Sequence, residues 1–565
     1  MHSTYRYPRF EYRRAPELDL AAEHALPMRP VVVVGAGPVG LAAAIDLAQH
    51  GVPVVLLDDD DTVSVGSRGL CYAKRTLEIL DRLGCGDRVV DKGVTWNVGR
   101  TFFGRDEVFR FNLLPEADHH RPGMVNLQQY YLEEALVDRA ASLPLVDLRW
   151  KHQVIGVTPR DDQVSVQVHT ADGPYELLAQ WLVVADGARS PIRRHLGLDI
   201  EGKVFQDRFL IADVVMKADF PAERWFWFDP PFHPHQSVLL HREADNVWRI
   251  DFQLGWQADP EEEKKPERVI PRIRAMLGED RAFELEWVSV YTFQCRRMSR
   301  FTHGRVLFAG DAAHQVSPFG ARGANSGIQD ADNLAWKLAY VLKGDAPASL
   351  MESYSDERVA AAEENLMNST RSTDFITPKS AVSKTFRNAV LQLAKHHPFA
   401  RSLVNSGRLS MPSTLHHSTL NTPDEQEFEG GVVPGAVLPD APVVTTQGPS
   451  DWLLKQVGGT FDVLCGVEDA QHLDAQLRET LRAWSEVQPA VRVVLVGARA
   501  ATAHPSCTVV QDIKALVASR LGMQPGTVYL LRPDQHVAAR WKRYPFAQGA
   551  KPLARALRQA LGHSS

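Results

Sequence analysis

Gly35, Gly37 and Gly40 stand in G-x-G-x-x-G spacing directly after four valines, Val31 to Val34, with Pro38 and Val39 in the turn between them. Glycines so placed let the chain turn tightly, let a pyrophosphate reach the backbone and let the next helix pack on the strand. That helix, Leu41 to Ala48, would aim free N–H groups and its positive dipole end at phosphate. The next apolar run, Val54 to Leu57, ends in Asp58, where a ribose hydroxyl needs an acceptor. The chemistry is dinucleotide binding. A second acid, Asp311, follows the short buried run Val306 to Ala309 in Gly310-Asp311-Ala312-Ala313-His314, where it could accept from a sugar or ribityl hydroxyl. Pro318 to Asn325 then supplies Gly320 and Gly323, whose N–H groups could meet a flat polar ring edge, and opens a helix over about Ser326 to Leu342. A reduced flavin is anionic at its pyrimidine edge, so a helix start suits it there.

Several elements must position these residues. At 565 residues the chain exceeds one ordinary core. We divide it into a tail at 1–28, the first part of a nucleotide-binding domain at 29–200, a β-rich substrate domain at 201–299 and a second nucleotide-binding part at 300–345. A helical connection and linker at 346–430 and a small α/β domain at 431–565 follow. The tail interleaves Tyr5, Tyr7, Phe10 and Tyr12 with arginines, which suits a loose tail or an arm across a neighbouring surface. Helices are expected at Lys74 to Leu83 and Gln128 to Ala141, and strands at 154–157, 164–168 and 177–184, the last ending in Asp186-Gly187. Aromatic residues crowd 200–300, as in Trp225-Phe226-Trp227-Phe228, and would wall an apolar ligand.

Bulk properties narrow the function. A net charge of −6 argues against nucleic acid or an anionic membrane as partner, and no apolar run is long enough to span a bilayer. Five scattered cysteines form no C-x-x-C, which reads as a cytoplasmic chain without a disulfide framework. No metal site is expected: His233 and His235 are flanked by prolines and have no further spaced ligand.

The segments V-V-V-V-G-A-G-P-V-G with Asp58, L-V-V-A-D-G-A-R-S-P-I-R-R from Leu182, and G-R-V-L-F-A-G-D-A-A-H-Q-V-S-P-F-G-A-R-G-A-N from Gly304 together closely resemble the single-component FAD-dependent aromatic hydroxylases, the group of phenol and para-hydroxybenzoate hydroxylases. Val528 to Trp541 is similar to the C-terminal thioredoxin-like domain of the phenol hydroxylase branch. The resemblance implies an α/β fold: a Rossmann-like FAD domain interleaved with a β-rich substrate domain, plus that thioredoxin-like domain, whose default role is packing or support of a homodimer. It implies FAD as cofactor and NADH or NADPH as co-substrate. It also implies hydroxylation of a phenolic or related aromatic compound with O2 through a flavin C4a-hydroperoxide. Gly35, Gly37, Pro38, Val39 and Gly40 would hold the pyrophosphate, Asp58 the ribose and Asp311 the ribityl chain. Arg68 would lie near the phosphates, Gln129 near the flavin, and Asp186 in a motif tied to FAD and nicotinamide. Pro318, Arg322, Gly323, Ala324 and Asn325 would line the isoalloxazine edge. Arg322 departs from the usual motif and either adds charge near the flavin or faces solvent. His314 reads as a hydrogen-bonding member of its motif. Catalytic candidates are His241, Arg242 and Tyr291. Alternatives are a flavin oxidase, reductase or halogenase on the same scaffold, or a non-catalytic FAD-binding interaction protein.

Overall fold

The computed structural model describes residues 4–20, 26–218, 220–404, 409–428, 430–446, 448–497 and 507–563. The valine run forms the strand Met28–Val34 at the centre of an eight-stranded sheet. It lies parallel to Val54–Asp58 on one side and to Gly173–Val184 on the other. Val306–Phe308 runs parallel beyond Gly173–Val184, and Val146–Trp150 beyond Val54–Asp58. Val31 to Val34 are all buried, as β-branched residues in a doubly covered parallel strand should be. Helices Pro38–Gln49, Gln129–Ala141 and Gly323–Lys343 provide that cover. The last begins three residues before the expected Ser326, because Gly323 and Ala324 already take helical geometry behind Arg322.

A second eight-stranded sheet runs in the order His314–Gln315, Glu284–Arg297, Glu201–Val215, Val247–Leu254, Ser237–Arg242, Arg224–Phe228, Val98–Phe103, Asp106–Asn112. Its last two strands come from within 29–200, so that stretch serves both sheets; Val98–Phe103 pairs in parallel with Arg224–Phe228. One face of the sheet packs Leu210, Val238, Leu240, Trp248 and Ile250 against helix Pro266–Leu277. The other face looks back at the nucleotide-binding layer.

A third sheet, of seven strands, is built after residue 440. Its centre is the parallel pair Phe461–Val467 and Val491–Gly497, joined through helix Ala475–Ser485. Val528–Leu531 adds antiparallel to Phe461–Val467, Val537–Trp541 adds antiparallel to Val528–Leu531, and helix Lys551–Ala560 follows. The stretch expected as linker is packed in place. Leu415 and Leu420 are buried, Thr422 N–H donates to Ala538 C=O at 2.8 Å, and Ser418 Oγ donates to Glu357 at 2.5 Å. Its polar residues serve buried partners, which composition alone does not reveal.

Residues 4–20 form an arm rather than a loose tail. Thr4 Oγ1 donates to Glu286 at 2.6 Å, Tyr5 stacks on Tyr130, and Phe10 stacks on Trp150. Glu17 is buried between Arg29 and Arg149. All five cysteines are free thiols.

Candidate functional site

Four predicted residues or turns meet at one edge of the parallel sheet. Val34 is in register with Leu57 and Val184, and Val184 with Phe308. The Gly35 turn, Asp58, Asp186 and Asp311 therefore leave from the carboxyl ends of adjoining strands, where open α/β sheets bind ligands. The glycines divide the labour. Gly35 has φ +102°, and a Cβ there would lie 2.4 Å from Ala185 O. At Gly40 a Cβ would lie 1.9 Å from Gly35 O, so helix and turn could not approach. At Gly37 a Cβ would meet nothing within 4 Å. The room beside Gly37 faces the first turn of helix Pro38–Gln49, which no side chain caps. That open, donor-lined space fits a pyrophosphate.

The carboxylates differ. Asp58 accepts from Ala36 N–H at 2.5 Å and Asp60 N–H at 2.8 Å, and burial raises its pKa to about 6. It holds the glycine turn from the end of the neighbouring strand. Asp186 accepts from Ile192 N–H at 3.3 Å through one oxygen, while the other is buried without a partner. Among the described residues no hydrogen bond reaches the carboxylate of Asp311, an exposed residue whose pKa is raised by the protein packed around it. An acceptor left open at Asp186 and another at Asp311 suit the hydroxyl-rich middle of FAD. His314 is committed elsewhere: its Nε2 lies 2.6 Å from Asp330, which also binds Gly310 N–H and Arg358.

Two predicted flavin-edge side chains act on the protein itself. Asn325 accepts from Ala73 N–H and donates to Cys71 C=O, both at 2.8 Å, and to Ala321 C=O at 2.5 Å. It ties the helix start to the strand Cys71–Ala73. Gln129 accepts from Gly69 N–H at 2.8 Å and donates to Glu133 at 2.7 Å, so it fixes the loop that carries Arg68. Arg68 is exposed and makes no ion pair among the described residues, yet its charge is felt at Asp311 and Tyr291. Arg322 does not face solvent. It is buried, burial lowers its pKa to about 10, and the absent Cβ of Gly320 leaves room for its guanidinium. Pro318, Gly323 and Ala324 lie in the same turn and helix start.

The second sheet supplies the opposite wall. Its register sets Arg224, His241, Arg249 and Asp213 in one row, Phe226, Leu239, Asp251 and Ile211 in the next, and Phe228, Ser237, Phe209 and Tyr291 beyond. Directly opposed residues share a face. Phe319 packs on Phe209 and Phe293, Arg249 donates to Ser67 C=O, and Trp287 fills the space over Gly66. This face therefore looks onto the loops that carry Arg68 and Phe319 to Asn325. A cavity between them is lined by Thr101, Arg224, Phe226, Phe228, Phe319 and Gly320. A larger cleft, beside Asp46, His50 and Lys455, lies at the far end of helix Pro38–Gln49. At 1.5 Å per residue that is roughly 18 Å from the glycine turn, too far for shared chemistry.

The catalytic candidates separate here. His241 sits on the inner face, buried between Arg224 and Arg249, and burial with those two charges keeps its imidazole neutral. Tyr291 is also on this face, and burial raises its pKa. Arg242 is not: strand alternation turns it to the other side, where it lies over Trp248 at 5.7 Å. Sequence reasoning missed Arg224 and Asp251. The available signal was the period of two in Arg224-Trp225-Phe226-Trp227-Phe228, which sends Arg224, Phe226 and Phe228 inward and the tryptophans outward.

Residues 28–369 match the family model described as "FAD binding domain". The chain is 29% identical over 540 residues to 6-methylpretetramide 4-monooxygenase of Streptomyces rimosus, covering 91% of each chain. It is 32% identical over 355 residues to a flavin-dependent monooxygenase of Mycobacteroides abscessus, covering 59% of this chain and 71% of the relative. The crystal structure of the flavin-dependent monooxygenase PieE in complex with FAD and substrate superposes with a TM-score of 0.80 at 23% identity, over 96% of this chain and 100% of that one, a likeness of fold.

Proposed function

The chain belongs to the FAD binding domain family and is an FAD-dependent monooxygenase that hydroxylates an aromatic compound with NAD(P)H and O2; we propose that its cofactor lies along the edge formed by the Gly35 turn, Asp186 and Asp311. Gly35, Gly37, Pro38, Val39 and Gly40 bind the pyrophosphate, Asp58 the adenosine ribose and Asp311 the ribityl chain. Arg68 and Asp186 flank the diphosphate and the middle of the cofactor. Pro318, Gly323 and Ala324 offer backbone to the isoalloxazine edge, and Arg322 supplies positive charge behind it. Gln129 and Asn325 work as positioning residues through the loops they fix. FAD, when bound, supplies the chemistry that takes electrons from the nicotinamide and passes one oxygen atom of O2 to the ring. The protein's part is to orient a phenolic ring against the inner face of the second sheet and to keep water out of a pocket walled by Phe226, Phe228 and Phe319.

The observation that carries this reading is the open space at Gly37 and the unpartnered carboxylate of Asp311 at the ends of the two strands that flank Gly173–Val184. The strand order of the C-terminal sheet supports a thioredoxin-like domain without a dithiol; its interior thiol, Cys465, is pushed up to about 12 by burial. Packing against the FAD domain, or support of a homodimer, is its proposed role, and the cytoplasm is the proposed location. Among the described residues no helix is long and apolar enough to cross a membrane.

The test is direct. The purified protein should be yellow and should oxidise NADH or NADPH faster when a phenol or naphthol is added, with a product heavier by one oxygen. Asp311→Ala should lose flavin. A colourless wild-type protein, or a product that has only lost hydrogen or gained halogen, would overturn the assignment.

A further inference from the structure

Several polar side chains on the inner face of the second sheet have buried atoms without a partner, and three of these side chains lie in adjoining rows. Arg224 makes no hydrogen bond or ion pair among the described residues, and its Nε is buried. Asp251 makes none either, with Oδ1 buried, and one ring nitrogen of His241, Nδ1, is buried and unpartnered. Such groups cost stability in an interior unless something binds them. They lie close: Arg224 and His241 neighbour across one strand pair, Asp251 is one row along, and each of Arg224 and Asp251 feels the other's charge. Arg224 also lines the aromatic cavity that Phe319 and Gly320 close from the flavin side. The adjacent Arg249 is not free in this way; it is held by Asp213 at 2.8 and 2.9 Å, with Glu243 at 3.4 Å.

We propose that Arg224 and Asp251 form the recognition site for the ionisable hydroxyl of an aromatic substrate, Arg224 binding its oxygen and Asp251 taking its proton. This rests on the chain acting as an aromatic hydroxylase. Arg224 offers a charged donor and Asp251 an acceptor, and a phenolic hydroxyl is both on a single atom. A carboxylate only accepts, would leave Asp251 unsatisfied, and would be set against the carboxylates of Asp251 and Asp213. In the step itself the substrate O–H bond breaks and an Oδ1–H bond forms on Asp251. The negative charge passes to the substrate oxygen, and Arg224 holds it there. The ring becomes electron-rich without any change in redox state. The charged and titratable groups facing Asp251 are Arg249 on its own strand, Arg224 and Asp213 on other strands of the sheet, Glu243 just beyond Ser237–Arg242, whose burial raises its pKa well above the usual carboxylate range, and Cys71 from the nucleotide-binding layer. The Cys71 thiol is pushed up to about 12 by burial, so it stays neutral.

The experiment uses the FAD-loaded enzyme with three probes of one shape: 2-naphthol, 2-methoxynaphthalene and 2-naphthoate. Naphthol should stimulate NAD(P)H oxidation and perturb the flavin spectrum; the ether and the carboxylate should do so at least about 10-fold less, the scale of one lost buried hydrogen bond to a charged group. Asp251→Asn should lower the naphthol-stimulated kcat/KM about 100-fold at pH 7. Its activity should climb toward the wild-type level as pH approaches the pKa of free naphthol, and Asp251→Glu should restore part of the loss at neutral pH. Arg224→Met should lose the naphthol response while keeping its FAD, and Arg224→Lys should keep part of it. Equal responses to naphthol and its ether, a wild-type pH profile in Asp251→Asn, or a preference for naphthoate that Arg224→Met abolishes would each overturn the proposal while leaving the hydroxylase assignment standing. An FAD-loaded wild type stimulated by no arene would overturn both.

Discussion

Two buried polar clusters in this molecule follow opposite rules. Where helix Gly323–Lys343 meets the C-terminal domain, every charge has an opposite charge in contact. Glu357 takes Lys337 and Arg532, each at 2.7 Å, together with Asn333 and Ser418. Arg532 also binds Asp534 at 2.5 Å, and Arg75 joins Asp332 to Gln535 and the Asp534 carbonyl. On the inner face of the second sheet, Arg224, His241 and Asp251 are left open. The closed cluster fixes one domain on another. The open one carries an unfavourable free energy in the empty protein, which a ligand can relieve, and that is how a binding site differs from a joint.

Truncating each cluster separates the two most sharply. Arg532→Met leaves Glu357 and Asp534 short of charge in a dry interior and should cost about 3–5 kcal/mol. The urea midpoint should fall while any enzyme still folded keeps its response to substrate. Arg224→Met removes a buried charge that no hydrogen bond or ion pair holds among the described residues, so its urea midpoint should hold or rise while the response to substrate disappears. If Arg224→Met is destabilised as strongly as Arg532→Met, the contrast between the clusters is false.

The glycine turn repeats the contrast on a smaller scale. Gly40→Ala drives a Cβ to 1.9 Å from backbone, so it should destabilise even the flavin-free protein, by about 1–3 kcal/mol. Gly37→Ala meets no protein atom within 4 Å and should leave flavin-free stability unchanged. It should nevertheless abolish retention of FAD, read as flavin absorbance per mole of protein. Loss of stability without loss of flavin in Gly37→Ala would mean that the space beside it is not the pyrophosphate path.

Acid should open the closed cluster first. Burial alone would raise the Glu357 pKa, but Arg532 and Lys337 outweigh it and hold the carboxyl far below its ordinary value of 4.5. A group whose folded pKa is depressed adds stability above its unfolded pKa and loses it as pH falls toward the folded one. Stability should therefore drop below about pH 4.5, by on the order of 2 kcal/mol from this residue. Glu357→Gln should be less stable at pH 7 and should show a shallower acid slope. An unchanged slope would assign acid sensitivity to other carboxylates.

The strand ends and glycine turn proposed to hold the nucleotide were legible in the sequence because their constraints are local. Glycine spacing, a valine run and an acid at each strand end are all set by backbone geometry within a few residues. The inner face of the second sheet was not legible, because strand pairing decides which residues meet. Arg224, His241 and Asp251 come from three strands, and only the register brings them into adjoining rows. Arg242 failed as a candidate for the same reason, since one step along a strand reverses the face. Asn325 and Gln129 carry the right residue types, but their partners, Ala73 and Gly69, are long-range contacts that no motif contains. The arm was equally hidden, since its aromatic residues pair with Tyr130 and Trp150 far along the chain.

That arm makes the smallest and most local prediction. Tyr7 accepts from Gly66 N–H at 3.0 Å, and Phe10 N–H donates to Asp61 C=O at 2.7 Å. Both bonds fall on the loop between Asp58 and Arg68, the two residues proposed to flank the adenosine and phosphate end of the cofactor. Tyr7→Phe deletes one partner of a half-buried hydrogen bond and should cost about 1 kcal/mol. Because the loop rather than the core is released, the effect should be seen as a several-fold weaker hold on FAD, with kcat at saturating FAD unchanged. A lower melting temperature with undiminished FAD affinity would make the arm a brace for the fold alone. It would leave Arg68 positioned entirely by Gln129 and the second sheet.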